Sequence, residues 1–246
     1  MNINMKRNII LLFVLLAFTR CDEWENSAEP SRITYLPKVE VNGDSYIELD
    51  CDADSYDDEG ATAIMAGEEV EYNTTVAGRY FGGNAVDGPD FYDIVYSKEN
   101  EDGIPGVAFR EVFWPECNGD LVNSIAGVYT ANVTRNGVIS AEYMGIGPII
   151  IRDLGNNQYA LSDAIGGYYD YGRAYGAGYA STGMIITANN IAANDFSFGD
   201  PVPVGAFGGS NEMLTFTVNP GAKKIVFTTT WDAGYDFSVE LTQVPQ

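Results

Sequence analysis

The 246-residue chain carries 35 acidic against 13 basic side chains, a formal net charge of −22, and no histidine. Such a charge repels nucleic acid and anionic lipid head groups and argues against polyanionic substrates. Without an imidazole, Ser-His-Asp and Cys-His catalysis and every His-ligated metal centre are excluded.

The chain opens with Lys6 and Arg7 ahead of an apolar run from Ile9 to Phe18. This order matches the charged and hydrophobic regions of a secretory signal. The run is shorter than the roughly twenty residues that span a bilayer. Cys21 follows closely, and a cysteine just past such a run is the pattern of a bacterial lipoprotein, cut so that the cysteine becomes the acylated N-terminus. The acidic run Asp22-Glu23-Trp24-Glu25 resembles the export signal of Bacteroidetes-type surface lipoproteins. Residues 1–20 therefore read as signal peptide and 21–32 as a lipidated, polar tether. The alternative is an ordinary secretory signal with an incidental cysteine. The first reading places the protein at the outer membrane, held by lipid and facing the exterior. Cys51 and Cys117 then remain in an oxidising compartment where a bridge can form. Their spacing does not show that they meet, and two unpaired thiols are the expectation.

Beyond the tether the apolar residues alternate in short runs broken by Gly, Asn, Asp and Pro, which predicts an all-β protein. Residues 33–114 hold strands near Ile33–Val41, Ser45–Leu49, Glu68–Val76, Phe91–Ser97 and Gly106–Trp114. About seven short strands in this length suit an immunoglobulin-like sandwich. In the last of them Val107, Phe109 and Phe113 share one face, and Arg110 and Val112 the other. Two stretches, Tyr56-Asp57-Asp58-Glu59-Gly60-Ala61-Thr62-Ala63 and Tyr96-Ser97-Lys98-Glu99-Asn100-Glu101-Asp102-Gly103, resemble turns of a bacterial immunoglobulin-like module common in surface lipoproteins. That resemblance implies a spacer and no chemistry.

Pro115–Asp120 is rich in turn formers and marks a boundary. Residues 119–246 predict a second antiparallel barrel or sandwich. "SIAGVYTANVTRNG" puts Tyr129, Ala131 and Val133 on one side before an Asn136-Gly137 turn. "GPIIIRD" and "QYALSD" read as a hairpin. "MLTFTVN", "KIVFTTTW" and "YDFSVEL" read as a three-stranded meander, with Leu214, Phe216 and Val218 on one face of the first. The stretches "DLVNSIAGVYTANVTRNG" and "ALSDAIGGYYDYGRAYGAGYASTG" resemble a family of Bacteroidetes-type lipoproteins that join the immunoglobulin-like module to a β-rich C-terminal domain. Its members look like components of glycan-uptake systems of the starch-utilisation type.

The segment "GGYYDYGRAYGAGY" has two readings. Its tyrosines can fill a core around glycine turns. Alternatively they can form a platform for pyranose C–H faces, with phenol hydroxyls, Asp170 and Arg173 bonding sugar hydroxyls. On the second reading Tyr168, Tyr169, Asp170, Tyr171, Arg173, Tyr175, Tyr179 and Trp231 are the carbohydrate contacts. A second feature is the acidic run "DCDADSYDDEG". Its carboxylates read first as a solvated loop, with Asp52, Asp54, Asp57 and Asp58 as the lesser candidates for a calcium ion. No other cofactor is implied. No phosphate loop, dinucleotide motif or nucleophile elbow is visible, so a non-enzyme is expected. The sequence thus points to a surface lipoprotein that binds glycan without catalysis, or scaffolds a polysaccharide-uptake system. The alternative is a structural lipoprotein contacting partner outer-membrane proteins without sugar.

Overall fold

In the computed structural model the described residues are 33–246; the signal peptide, Cys21 and the tether lie outside them. Among the described residues the chain forms sixteen strands linked by short 3-10 and π turns. The fold is all-β, as the alternating pattern predicts. Residues Leu36–Gln246 hold together as one unit.

The first seven strands are β1 (Lys38–Val41), β2 (Tyr46–Glu48), β3 (Ala61–Met65), β4 (Glu68–Glu69), β5 (Asn73–Gly78), β6 (Asp90–Glu99) and β7 (Pro105–Trp114). They make a three-stranded sheet, β1-β3-β4, and a four-stranded sheet, β2-β7-β6-β5. Val39, Ala61 and Ala63 of one sheet meet Tyr92, Ile94, Tyr96 and Val112 of the other. Strand β3 begins inside the stretch read as a turn, because Gly60 at φ +73° reverses the chain and Ala61 enters the ladder at once.

The Arg110 face of β7 turns inward, so Val107 and Phe109 are exposed. Arg110 is buried, and its charge is compensated on every side. It pairs with Asp58, donates to the Tyr96 hydroxyl (3.1 Å) and to the carbonyls of Asp44 (3.0 Å) and Asn42. A buried cation is tolerated only with such a complete set of acceptors.

The remaining strands are β8 (Gly127–Arg135), β9 (Ile146–Gly155), β10 (Gln158–Leu161), β11 (Met184–Asn190), β12 (Asp195–Phe198), β13 (Val202–Val204), β14 (Gly208–Asn219), β15 (Lys224–Trp231) and β16 (Tyr235–Gln243). They form one antiparallel nine-stranded sheet, in the order β12-β11-β10-β9-β8-β16-β15-β14-β13. The hairpin at Asn156-Asn157 and the meander β14–β16 match the sequence reading. Leu214 does not: a register shift between Met213 and Thr215 turns Met213 into the core and leaves Leu214 half exposed. One extra residue in a ladder reverses the facing of its neighbours.

The two groups of strands share a third apolar cluster. Phe91 and Phe113 stack at 4.2 Å and meet Tyr80, Val128, Ile150 and Ala180. Next to it, Cys51 and Cys117 are joined by a disulfide, which corrects the expectation of unpaired thiols. The cause is topological. Strands β2 and β7 are parallel, with Glu48 opposite Phe113, so the segments leaving them carry both cysteines to the same end.

Candidate functional site

The segment between β10 and β11 contains the tyrosine-rich stretch. It is neither strand nor linker: it lies against one face of the nine-stranded sheet. Asp163 starts it. Its fully buried carboxylate accepts N–H bonds from Ile165, Gly167 and Ser181, each 2.9 Å, and so fixes both ends of the loop. Gly166, at φ +65°, sits where a Cβ would fall 2.6 Å from a Val239 methyl and 2.9 Å from one of Val133. Only glycine can make that turn against the sheet. A π turn over Tyr168–Gly172 follows.

This geometry buries half of the predicted sugar contacts. Tyr168 (2% exposed), Tyr169 (7%), Asp170 (6%) and Trp231 (7%) belong to the interior. Tyr168 stacks on Tyr143 at 4.1 Å, and Tyr169 meets Trp231 and Phe237 edge to face. Asp170 accepts a 2.6 Å hydrogen bond from Tyr80, whose hydroxyl also lies 2.8 Å from that of Tyr171. Burial raises the Asp170 pKa, opposed by the Tyr80 bond and by Arg79. Asp170 and Tyr171 are thus occupied in tying the loop to the first group of strands. The π turn sends consecutive side chains Tyr168 and Tyr169 inward together, as the core reading of the segment expects of some of its tyrosines.

The remaining candidates form a surface. Tyr175 is 51% exposed, and its ring lies parallel to buried Tyr169 at 6.2 Å. Half-buried Tyr179 meets Tyr175 at 5.3 Å. Phe207, 47% exposed, completes the face, 4.9 Å from Tyr179 and 5.0 Å from Tyr169. Two wet rings therefore stand on a foundation of buried ones. Such a face can stack on flat apolar groups and offer phenol hydroxyls to a ligand. Exposed Arg173 lies apart from it, over Tyr143 and Tyr168.

Phe207 was absent from the sequence reading, since "VGAFGGS" looks like a bare turn. Its neighbours carried the only available signal. Gly205 has φ +41°, and a Cβ there would sit 2.3 Å from the Gly178 carbonyl oxygen and 2.5 Å from the Tyr179 Cα. The Phe207 turn and the tyrosine segment touch through backbone at this point. The indole N–H of Trp231 donates to the Gly208 carbonyl (3.1 Å) and holds the other side of the turn. Gly205→Ala is expected to lower stability by about 1–3 kcal/mol and to separate Phe207 from Tyr179. Urea unfolding and the tyrosine fluorescence of the folded variant check both effects.

The calcium candidates do not converge. Asp58 turns to Arg110 and accepts from Tyr96 (2.6 Å), while Asp52, Asp54 and Asp57 point to solvent. Among the described residues no group of three or more Cys, Asp or Glu side chains is placed to hold a metal ion.

Comparison with known proteins bears on the fold and the family. The crystal structure of the lipoprotein BT2262 from Bacteroides thetaiotaomicron aligns with a TM-score of 0.56 at 23% identity, covering 85% of this chain and 100% of that one. At that identity the likeness is one of fold. No curated protein sequence matches. A family model described as a "-like, C-terminal domain" matches residues 118–243. The match takes in the whole nine-stranded sheet, the tyrosine segment and the Phe207 turn, just over half of the chain, and the chain belongs to that C-terminal-domain family.

Proposed function

We propose that this protein is a lipid-anchored surface lipoprotein whose C-terminal domain binds glycan without catalysis through Tyr175, Tyr179 and Phe207. The observation that carries the reading is the exposure of Tyr175 and Phe207, 51% and 47%, on a rigid buried base. Exposed, clustered apolar rings on a soluble surface mark a contact site. A pyranose presents a flat C–H face of matching size. The Cys21 signal supports the anchor, and an acidic body that repels anionic head groups suits attachment by lipid. The seven strands in two sheets support an immunoglobulin-like spacer that lifts this face from the membrane. In this role the protein serves a polysaccharide-uptake system as an accessory binder.

Affinity gel electrophoresis with neutral polysaccharides tests the reading. Tyr175→Ala and Phe207→Ala are each expected to weaken retardation about tenfold, the loss of roughly 1–2 kcal/mol of ring burial. Absence of retardation by every neutral polysaccharide, or retardation indifferent to both substitutions, overturns it. The second reading, a scaffold contacting other outer-membrane proteins, draws on a different face: Val107 and Phe109 are exposed at 39% and 64% on the outer side of β7.

A further inference from the structure

A cleft of about 480 Å³ opens around Tyr143, Tyr168 and Arg173. Arg135, Glu142, Tyr143, Tyr168, Arg173 and Tyr235 line it. The two arginines are the notable part. In this strongly acidic chain Lys38, Arg79, Arg110 and Lys224 each pair with a carboxylate. Among the described residues Lys98, Arg135, Arg152, Arg173 and Lys223 make no such ion pair, and of these Arg135 and Arg173 both reach the same ring, Tyr168, at 4.9 Å and 5.8 Å.

Both guanidinium groups are held by their flat faces. Arg135 lies over Tyr168 and over Tyr235 (4.5 Å), and one of its N–H groups donates to the Tyr169 hydroxyl at 3.2 Å. Arg173 lies over Tyr143 at 5.6 Å as well as over Tyr168. Stacking uses the face of a guanidinium, and beyond the bond Arg135 gives to Tyr169 and the one Arg173 turns to Tyr168 each keeps N–H groups on the edge that matches a carboxylate. A further polar group is there: the hydroxyl of buried Tyr143, whose pKa is raised by burial and by its neighbours Tyr168 and Glu142. Two cations and Glu142 leave the cleft one positive charge, enough for one anionic group. Val138 and Ile139, 66% and 75% exposed, flank it and supply an apolar lip.

We infer that this cleft is a carboxylate subsite, taking one uronic-acid residue of a glycan whose neighbouring units lie on the Tyr175–Phe207 face. This rests on the glycan reading above. One buried ring links the two sites: Tyr169 stacks with Tyr175 while its hydroxyl accepts from Arg135. A single carboxylate also fits the net charge of −22, which disfavours long polyanions.

Isothermal titration of the full soluble chain with trigalacturonate and with its methyl ester is the test. The acid is expected to bind at least tenfold tighter than the ester at low salt, with the difference shrinking as salt rises. Arg173→Gln, at an exposed position, should remove most of that difference. Arg135→Lys keeps the charge and should lose part of it, because the fork is gone. Equal affinity for acid and ester, or a preference of equal size in Arg173→Gln, overturns the inference, as does tighter binding of a sulfated trisaccharide than of the uronate. Binding of the ester that depends on Tyr175, with no gain for the acid, overturns this subsite alone. An acid preference that depends on Arg173 but not on Tyr175 keeps the subsite and overturns the aromatic face.

Discussion

Removing the disulfide by Cys51→Ala with Cys117→Ala is expected to cost about 4 kcal/mol. The bridge closes a loop of 66 residues, and in the chain-entropy description a loop of that length restricts the unfolded ensemble by about this amount. The loop runs from the end of β2 through β7, so it encloses most of the first group of strands. The bridge also holds that group beside Asn118, whose side chain accepts from the Val128 N–H (3.1 Å) and donates to the Val244 carbonyl (2.6 Å) at the start of the nine-stranded sheet. In urea the midpoint should fall by about 1.3–2 M for a slope near 2–3 kcal/mol/M. Dithiothreitol should move the unsubstituted protein to the same midpoint. A double variant within 1 kcal/mol of the parent, taking about 1 kcal/mol as the resolution of the comparison, would show that the unfolded chain is already compact between these positions.

The second large effect is a loss of stability as pH rises from about 5 to 8. Burial pushes the Asp163 carboxyl up to about 7 despite its three N–H donors, and burial likewise pushes Glu116 up to about 7. Asp90 and Asp170 are also raised, burial again being the main cause. The unfolded chain releases these protons near pH 4, where free carboxyls titrate. Between about 4 and 7 the native state therefore holds more protons than the unfolded state. The unfolding free energy is highest below that window and falls as pH climbs through it. The loss should be on the order of 3 kcal/mol. The net charge of −22 acts in the same direction, because self-repulsion grows as the last carboxyls ionise. Urea titrations at pH 5 and pH 8 measure it. Glu116→Gln, which cannot ionise, should flatten part of the slope. A midpoint that is level or rises between those pH values would mean that the buried carboxyls are ionised in the native protein.

Of the eight residues read as sugar contacts, Tyr175 and Tyr179 lie on the candidate face, and the misses have specific causes. Tyrosine density marked residues 166–179 as ordered, because aromatic side chains bury surface. It could not tell which rings stay wet. That was decided by Asp163, whose three backbone bonds shape the loop, and by the π turn that directs Tyr168 and Tyr169 inward. Trp231 ended its strand as the pattern said, but the Phe207 turn covers it. Phe207 itself lay in a stretch with no periodicity to read. Arg173 was singled out for the sugar platform, yet the structure places it with Arg135 in a different cleft.

The sequence by itself determined the all-β character, the strands of the C-terminal meander and the core face of β8, since a period of two is written residue by residue. It also determined the acidity and the absence of imidazole chemistry. The tertiary structure alone decided the Cys51–Cys117 bridge, the burial of Tyr168, Tyr169, Asp170 and Trp231, and the meeting of Tyr175 with Phe207. Each of these depends on chain segments far apart in sequence. Which ones meet is set by strand order, and a local pattern of polarity fixes which face of a strand is buried but not which strand lies beside it.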